Sequence, residues 1–521
     1  MASEKVADEV EVEEILTTRN PTSKPVSARK LAVGGSARVL HLALLTVIGF
    51  VISPYMIHKL GAEQYGLWAL ANAFVGYYSL LDLGLSGAVF THMSHALGAG
   101  DNEEGSRIYS TGLSAFSALG AILVVVTLVI CAGILLFHPA HATVLAIVVL
   151  VVGIQTAIAF PMRAPFGVLN AGGHFEMTSF VLILSAVLRA TGTMLVLRAG
   201  QGVVALAIVN MLSWIPGYLW VCFAVHWQYK FIVPRSLFHW HKPTANKLIR
   251  FGVPVLVGQI ADRIRLQSDA IVVSFFYGLR YVTHYNIATT LVMYYMDGIT
   301  AIIGVLTPVL SMQMGSRDVE GMKRSLMMGT RIAICGGGFV AFGLICWGRA
   351  FILRWVGAEY GDAYLILVVL AVAMSFDIWQ YTAVNALYAS MHQKTYARIN
   401  ISEAAANLVI SLALAKPYGM LGVALGTLIP SIVIRGMIQP WIIQKKLDIS
   451  AVKFYAVSLR SLGVTAVCLV VPFFISRYTL RPDYPALFLT GGLSLLAFIF
   501  PVWKFEFNLA GAERLKKLIA R

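Results

Sequence analysis

The sequence predicts an all-α polytopic membrane protein of about fourteen transmembrane helices. Three observations carry this reading. The 521 residues are 58% hydrophobic and only 12% charged, where a soluble chain has about 25% charged residues. Apolar stretches of spanning length, about 20 residues, recur along almost the whole chain. Basic residues alternate in density between the gaps separating those stretches, as a chain threading a membrane requires.

Taken in order, residues 1–38 are polar, with the acidic run DEVEVEE and no apolar core of a secretory signal. They are expected to form a disordered cytosolic tail. Spans follow near 39–58, 65–97, 110–136, 143–170, 177–197, 203–225, 251–276, 284–311, 328–348, 363–390, 397–415, 420–440, 454–475 and 485–503. The second is too long for one straight crossing. Gln64 to Gly98 is 35 residues, about 52 Å of helix against a hydrocarbon core of about 30 Å. It must tilt, project or bend, and Gly84 and Gly87 are candidate bend points.

With the amino terminus in the cytosol, inside segments hold 24 Lys and Arg and outside loops hold 8. This bias predicts both termini cytosolic. It also accounts for the net charge of +15 as topology signals beside anionic lipid, and so argues against a nucleic-acid partner.

An internal repeat organises these spans. Lys30-Leu31 and Lys247-Leu248 stand 217 residues apart. Tyr77-Tyr78 and Tyr294-Tyr295 share that offset. LNAGGH at 169–174 and LYASMH at 387–392 are 218 apart, and GVVALAIV at 202–209 and GVALGTLI at 422–429 are 220 apart. The expected organisation is a tail (1–38), a six-helix lobe (39–225), a basic linker (226–250), a homologous six-helix lobe (251–445), and an extra helix pair with a tail (446–521). Six is even, so the halves are parallel repeats about an axis along the membrane normal, a transporter plan with substrate bound between halves.

No GxxxxGK[ST], HExxH or GxSxG motif occurs, and no outside loop is long enough for a catalytic domain. An enzyme is not expected. The five cysteines lie singly in apolar segments without metal-ligand spacing, and no metal site is expected.

Charges inside spans are the candidate functional groups, because each costs a few kcal/mol at the bilayer centre unless it pairs or faces water. The seventh span concentrates them: Asp262, Arg263, Arg265 and Asp269. Asp262, Arg265 and Asp269 share a helix face. Deep charges elsewhere are Arg189, Asp82, Asp297 and Asp377. Arg331, Arg435 and Arg460 lie near the cytosolic side, where an arginine can snorkel. Polar stripes on spans 2, 8 and 10, including Asn72, Asn286, Thr290 and Tyr381, fit a wet interior or simple helix packing. The tyrosines and Trp379 offer rings for stacking on sugars.

LGAEQYGLWALANAFVGYYSLLDLGLSGAVF (60–90) resembles the second helix of Wzx-type polysaccharide exporters, and SDAIVVSFFYGLRYVTHYNIA (268–288) resembles their seventh-helix pattern. These exporters belong to the multidrug/oligosaccharidyl-lipid/polysaccharide exporter superfamily, and the resemblance covers about residues 30–445. It implies two six-helix lobes around a central cavity and flipping of undecaprenyl-diphosphate-linked oligosaccharide across the bacterial inner membrane, for lipopolysaccharide O-antigen or exopolysaccharide. Fourteen helices resemble the lipid II flippase branch, where the last pair forms a lipid groove. On this reading Arg189, Arg263 and Arg265, with Asn72 and Tyr381, bind substrate. Asp82, Asp262, Asp269, Asp297 and Asp377 are the ion-coupling candidates. A proton or Na⁺ gradient drives transport, with no cofactor. The partners are the lipid-linked glycan and membrane lipids, with a polymerase and chain-length proteins as further candidates. A cation-coupled multidrug exporter on the same fold, or a membrane glycan polymerase, are the alternatives.

Overall fold

The computed structural model describes residues 28–507 apart from 83, 138–140, 231–239, 391, 478–483 and most positions between 305 and 317. Side chains before 44, those of 249–266 and those of 79, 95, 98, 389, 393, 394, 477 and 505 lie outside the description. Every element among the described residues is helical.

The first half runs through α1 (Ala28–Gly76), a 3-10 turn (Tyr77–Asp82), α2 (Leu85–Ala99), α3 (Asn102–Phe137), α4 (Ala142–Ala171), α5 (Phe175–Arg198), α6 (Val203–Leu212) and α7 (Ile215–Gln228). The second runs through α8 (Lys242–Tyr277), α9 (Leu279–Gly304), α10 (Val319–Trp355), α11 (Ala363–Ala389), α12 (Gln393–Pro430), a π-helical segment (Ser431–Ile438) and α13 (Gln439–Leu447). α14 (Ala451–Cys468), α15 (Val470–Arg477) and α16 (Tyr484–Glu506) complete the chain. Two expected boundaries move. α1 is helical from Ala28, inside the expected tail, and α8 begins at Lys242, inside the expected linker.

Eleven helical segments among the described residues are long and apolar enough to cross a membrane. Two of these are each a pair of limbs joined at a glycine. α1 breaks at Gly61 (φ 76, ψ 166) and α12 at Gly419 (φ 67, ψ −152), conformations open chiefly to glycine. Across Gly61 the chain turns back. Phe50 and Asn72 would lie about 33 Å apart on one straight helix, yet the Phe50 ring is 4.6 Å from Tyr294 and Asn72 lines a cavity that Tyr294 also lines. Across Gly419 the limbs form an antiparallel pair. Ser411 Oγ donates to the Val423 carbonyl (3.2 Å), Asn407 Nδ2 to Thr427 Oγ1 (2.9 Å), and Ser431 Oγ to Glu403 (3.3 Å). Gly422 and Gly426 let these backbones meet, since a Cβ at either would strike the opposite limb. The charged helix α8, 36 residues long, is a further spanning-length element, and counted so the described residues hold fourteen segments of spanning length.

The bend expected in the second span is present. Helical geometry gives way to the 3-10 turn, and Gly84 takes the left-handed conformation (φ 71) before α2. Gly87 lies within α2 and is not a bend.

Backbone irregularities recur near the sequence offset. Gly278 (φ 85, ψ 177), between α8 and α9, stands 217 residues after Gly61 with nearly the same backbone angles. Gly200 and Gly419, both with positive φ, are 219 apart. α14 and α16 pack against α10 and each other, and all three converge on Glu506. This buried carboxylate lies 3.5 Å from Arg331 Nε and 3.7 Å from Arg460 Nε, and accepts from Ser461 Oγ (2.6 Å).

Candidate central cavity

A cavity of about 430 Å³ lies between the second limb of α1 and helices α8, α9, α11 and α12. Its volume falls within the usual range for ligand sites. The two long walls come from equivalent positions of the repeat. Trp68, Ala69, Asn72 and Ala73 line it from α1, and Tyr285, Asn286, Thr289 and Thr290 line it from α9. Each α9 residue stands 217 positions after its α1 counterpart. The same helical face is therefore used twice, which sets the cavity on the pseudo-symmetry axis.

Its charge is not shared between the halves. Asp269 of α8 is buried, accepts from the Tyr285 hydroxyl (2.6 Å) and lies 3.3 Å from Thr427 Oγ1. Thr427 in turn accepts from Asn407. The position 217 residues before Asp269 is Ile52. The remaining polar lining consists of neutral amides and hydroxyls: Asn72, Gln267, Asn286, Thr289 and Thr290. With the Tyr65, Trp68 and Tyr294 rings, they present apolar faces edged by donors and acceptors, a surface suited to sugar rings.

A second, mostly apolar groove of about 390 Å³ opens beside it, lined by Thr46, Phe50, Leu291, Tyr294, Trp347, Phe351, Tyr484 and Phe488 among others. It lies between α1, α9, α10 and α16. Tyr294 lines both cavities and is the wall between them. Its hydroxyl fills the space where a Cβ at Gly49 would stand.

Of the expected site residues, Asn72 and Asp269 line the cavity. The side chains of Asp262, Arg263 and Arg265 lie outside the described residues. Asp82 accepts from Ser86 Oγ (2.6 Å) and pairs with Arg163, which also lies over the Phe160 ring. Arg163 thus belongs to the interior of α4. Asp377 lies 3.4 Å from Arg435 Nε. Asp297 is exposed on α9, beyond the stretch that lines the cavity. Arg189 is half-buried on α5, and among the described residues no carboxylate lies within salt-bridge distance. Tyr381 stands beside Gly304 and is not part of the lining. Trp379 stacks on Phe454 and donates to Ser458 Oγ (2.8 Å), so it packs the extra helices instead of facing the cavity.

Arg435 departs furthest from expectation. It does not snorkel. It is 1% exposed on the π-helical segment, donates to Glu403 (2.6 Å), Gln439 (3.2 Å) and Asn400, and lies under the Tyr396 ring. A signal was available in the sequence: Glu403 and Arg435 are equidistant from Gly419, so an antiparallel hairpin turning there brings them together. Gln267, Tyr285, Thr289 and Thr427 were missed as lining residues. Applying the repeat offset to Asn72 and Trp68 would have found Thr289 and Tyr285.

Comparison with known proteins gives a consistent picture. Residues 35–314 match the family described as polysaccharide biosynthesis protein. The probable flippase AglR of Haloferax volcanii is 24% identical over 402 residues, covering 74% of this chain and 77% of its own. Among solved structures, the lipid II flippase MurJ in an inward closed conformation superposes with a TM-score of 0.71 at 16% identity, over 91% of this chain and 99% of that one. An inward-facing multidrug resistance MATE family transporter of the MOP superfamily gives 0.68 at 17% identity, over 78% and 94%.

Proposed function

The chain belongs to the polysaccharide biosynthesis protein family, and from that premise we propose that it flips a lipid-linked oligosaccharide across the membrane by alternating access. One observation carries the reading. A polar, ring-lined cavity and an apolar groove meet at a single side chain, Tyr294. A substrate with a sugar head and a long hydrocarbon tail needs both environments at once: hydrogen-bond partners for its hydroxyls and an apolar channel for its chain. The groove runs beside α16, so the extra helix pair has a role in holding the tail.

The finer reading is an undecaprenyl-diphosphate carrier in a bacterial inner membrane, with both termini cytosolic. Two lobes, residues 39–225 and 251–445, rock about the cavity. The diphosphate would meet Arg263 and Arg265, which precede Asp269 on α8 by one to two turns, on the side away from Gly278. Asp269 is the coupling acid best supported by its position, because it alone of the expected acids with described side chains faces the cavity. Thr427, with Asn407 and Ser411 behind it, supplies neighbouring oxygens for a proton or Na⁺.

The test is translocation of a fluorescent undecaprenyl-diphosphate oligosaccharide in vesicles. Asp269→Asn should lower the rate by tenfold or more while the protein still inserts. Undiminished flipping in this variant sinks the coupling role, and no flipping by the parent sinks the substrate. A carboxylate beside Trp68 and two tyrosines also suits an organic cation. Raised drug resistance on expression, without glycan flipping, would favour the multidrug reading.

A further inference from the structure

At the end bearing Gly61 and Gly278 the two halves are joined by hydrogen bonds. Trp355 Nε1 donates to the Phe50 carbonyl (2.7 Å), and Tyr65 OH to Asn286 Oδ1 (3.3 Å). At their centre lies one contact made twice. The Thr283 hydroxyl donates to the Ala62 carbonyl. A Cβ on Gly66 would overlap the Leu279 carbonyl. Residues 66 and 283 are equivalent under the 217-residue offset, and so are 62 and 279. In each case the fourth residue after the turn's first position meets the opposite half's carbonyl at that first position. A Cβ on Gly66 would also come within 3.0 Å of Thr283 Oγ1. A residue can face its own equivalent only on the symmetry axis.

We propose that this Gly66–Thr283 crossing is the latch that closes the cavity at the Gly61 end and must part for substrate release there. The position fits. Tyr65, Trp68, Tyr285 and Asn286, within a turn of the crossing on both helices, line the cavity directly beneath it. The asymmetry fits as well. Two threonines would crowd the axis, and two glycines would offer no side-chain donor to join the helices. One of each allows backbone contact on one side and a hydrogen bond on the other. A single hydrogen bond shifts a two-state equilibrium by roughly twofold to tenfold, which holds a gate and still lets it open.

The latch itself rests on geometry alone, but which side of the membrane it faces rests on the orientation proposed above. The test is a cysteine-free chain carrying Thr289→Cys, a cavity residue about two turns below the crossing. It is labelled in sealed right-side-out vesicles with a membrane-impermeant maleimide, and Lys59→Cys reports which side the Gly61 end faces. Thr283→Val and Gly66→Ala are each expected to raise labelling at position 289 several-fold from the Gly61 side. Thr283→Ser, which keeps the hydroxyl, should leave it at the parent rate. If Gly66→Ala fails to insert, the contrast between Val and Ser at 283 decides alone. Equal labelling in Thr283→Val and Thr283→Ser overturns the latch. Failure to label Lys59→Cys overturns only the orientation, and the same contrast is then read in inverted vesicles.

Discussion

Arg435 and Glu403 show how a charge survives inside a membrane protein. Neither is reachable by solvent, and each is held by several partners. Removing Glu403 leaves the buried Arg435 with only Asp377, at 3.4 Å, to balance it, and breaking a buried pair costs up to about 3–5 kcal/mol. Glu403→Ala should therefore lower the thermal unfolding midpoint in detergent far more than an exposed change such as Glu320→Ala. At the opposite end of the fold, His284 and Asp362 make a different kind of pair. His284 is buried against the Tyr360 ring (4.9 Å) and its Nδ1 lies 2.6 Å from Asp362, just before α11. Burial pushes the Asp362 carboxyl up, but hydrogen bonds from His284 and from backbone amides outweigh it and hold the group below its ordinary value. A carboxylate lowered on folding stabilises the folded state above its unfolded pKa, near 4, and that contribution is lost as pH falls through the lower folded value. The unfolding midpoint should drop below about pH 4 in the parent and drop less in Asp362→Asn, measured as a melting series against pH.

Two helices of the fold are hairpins in disguise, and their glycines decide the geometry. Gly422 and Gly426 place the second limb of α12 against the backbone of the first, which holds Thr427 beside Asp269. A β-branched side chain there must push the limbs apart, at about 1–3 kcal/mol for overpacking. Gly426→Val should lower the melting midpoint and also slow transport, whereas Gly463→Ala on α14, where a Cβ meets nothing, should do neither. The sequence exposed these elements unevenly. The long second span announced a bend by its length, and Gly84 supplies it. The π-helical segment around Arg435 has no comparable marker, because its register depends on where Glu403, Asn400 and Gln439 stand in space.

For the whole molecule, the cavity and the groove should be separable by experiment. Filling the groove from its apolar side, as in Gly343→Leu or Leu487→Trp, should slow flipping of a long polyprenyl carrier and spare a short-chain analogue. Asn72→Ala should slow both. Equal effects of the groove variants on both chain lengths would remove the tail from that groove. Gly49→Ala should act on both sites at once, since the added methyl displaces Tyr294 from the wall between them.

The number of crossings, the bias of basic residues and the two-fold repeat were all determined by the sequence alone. Each follows from a one-dimensional quantity: apolar length against bilayer thickness, charge against loop order, and similarity against offset. The cavity-lining positions were half legible. Asn72, Asn286, Thr290 and Asp269 were singled out as polar groups in spans, while Tyr381, Asp297 and Asp377 carried the same signal and stand elsewhere. A polar residue in an apolar helix says that it needs a partner without saying which. Asp82 found Arg163, Asp377 and Glu403 found Arg435, and Asp269 found Tyr285 and Thr427 at the cavity wall. Tertiary structure alone made that distinction, because pairing energies depend on distances between helices that no spacing along the chain contains.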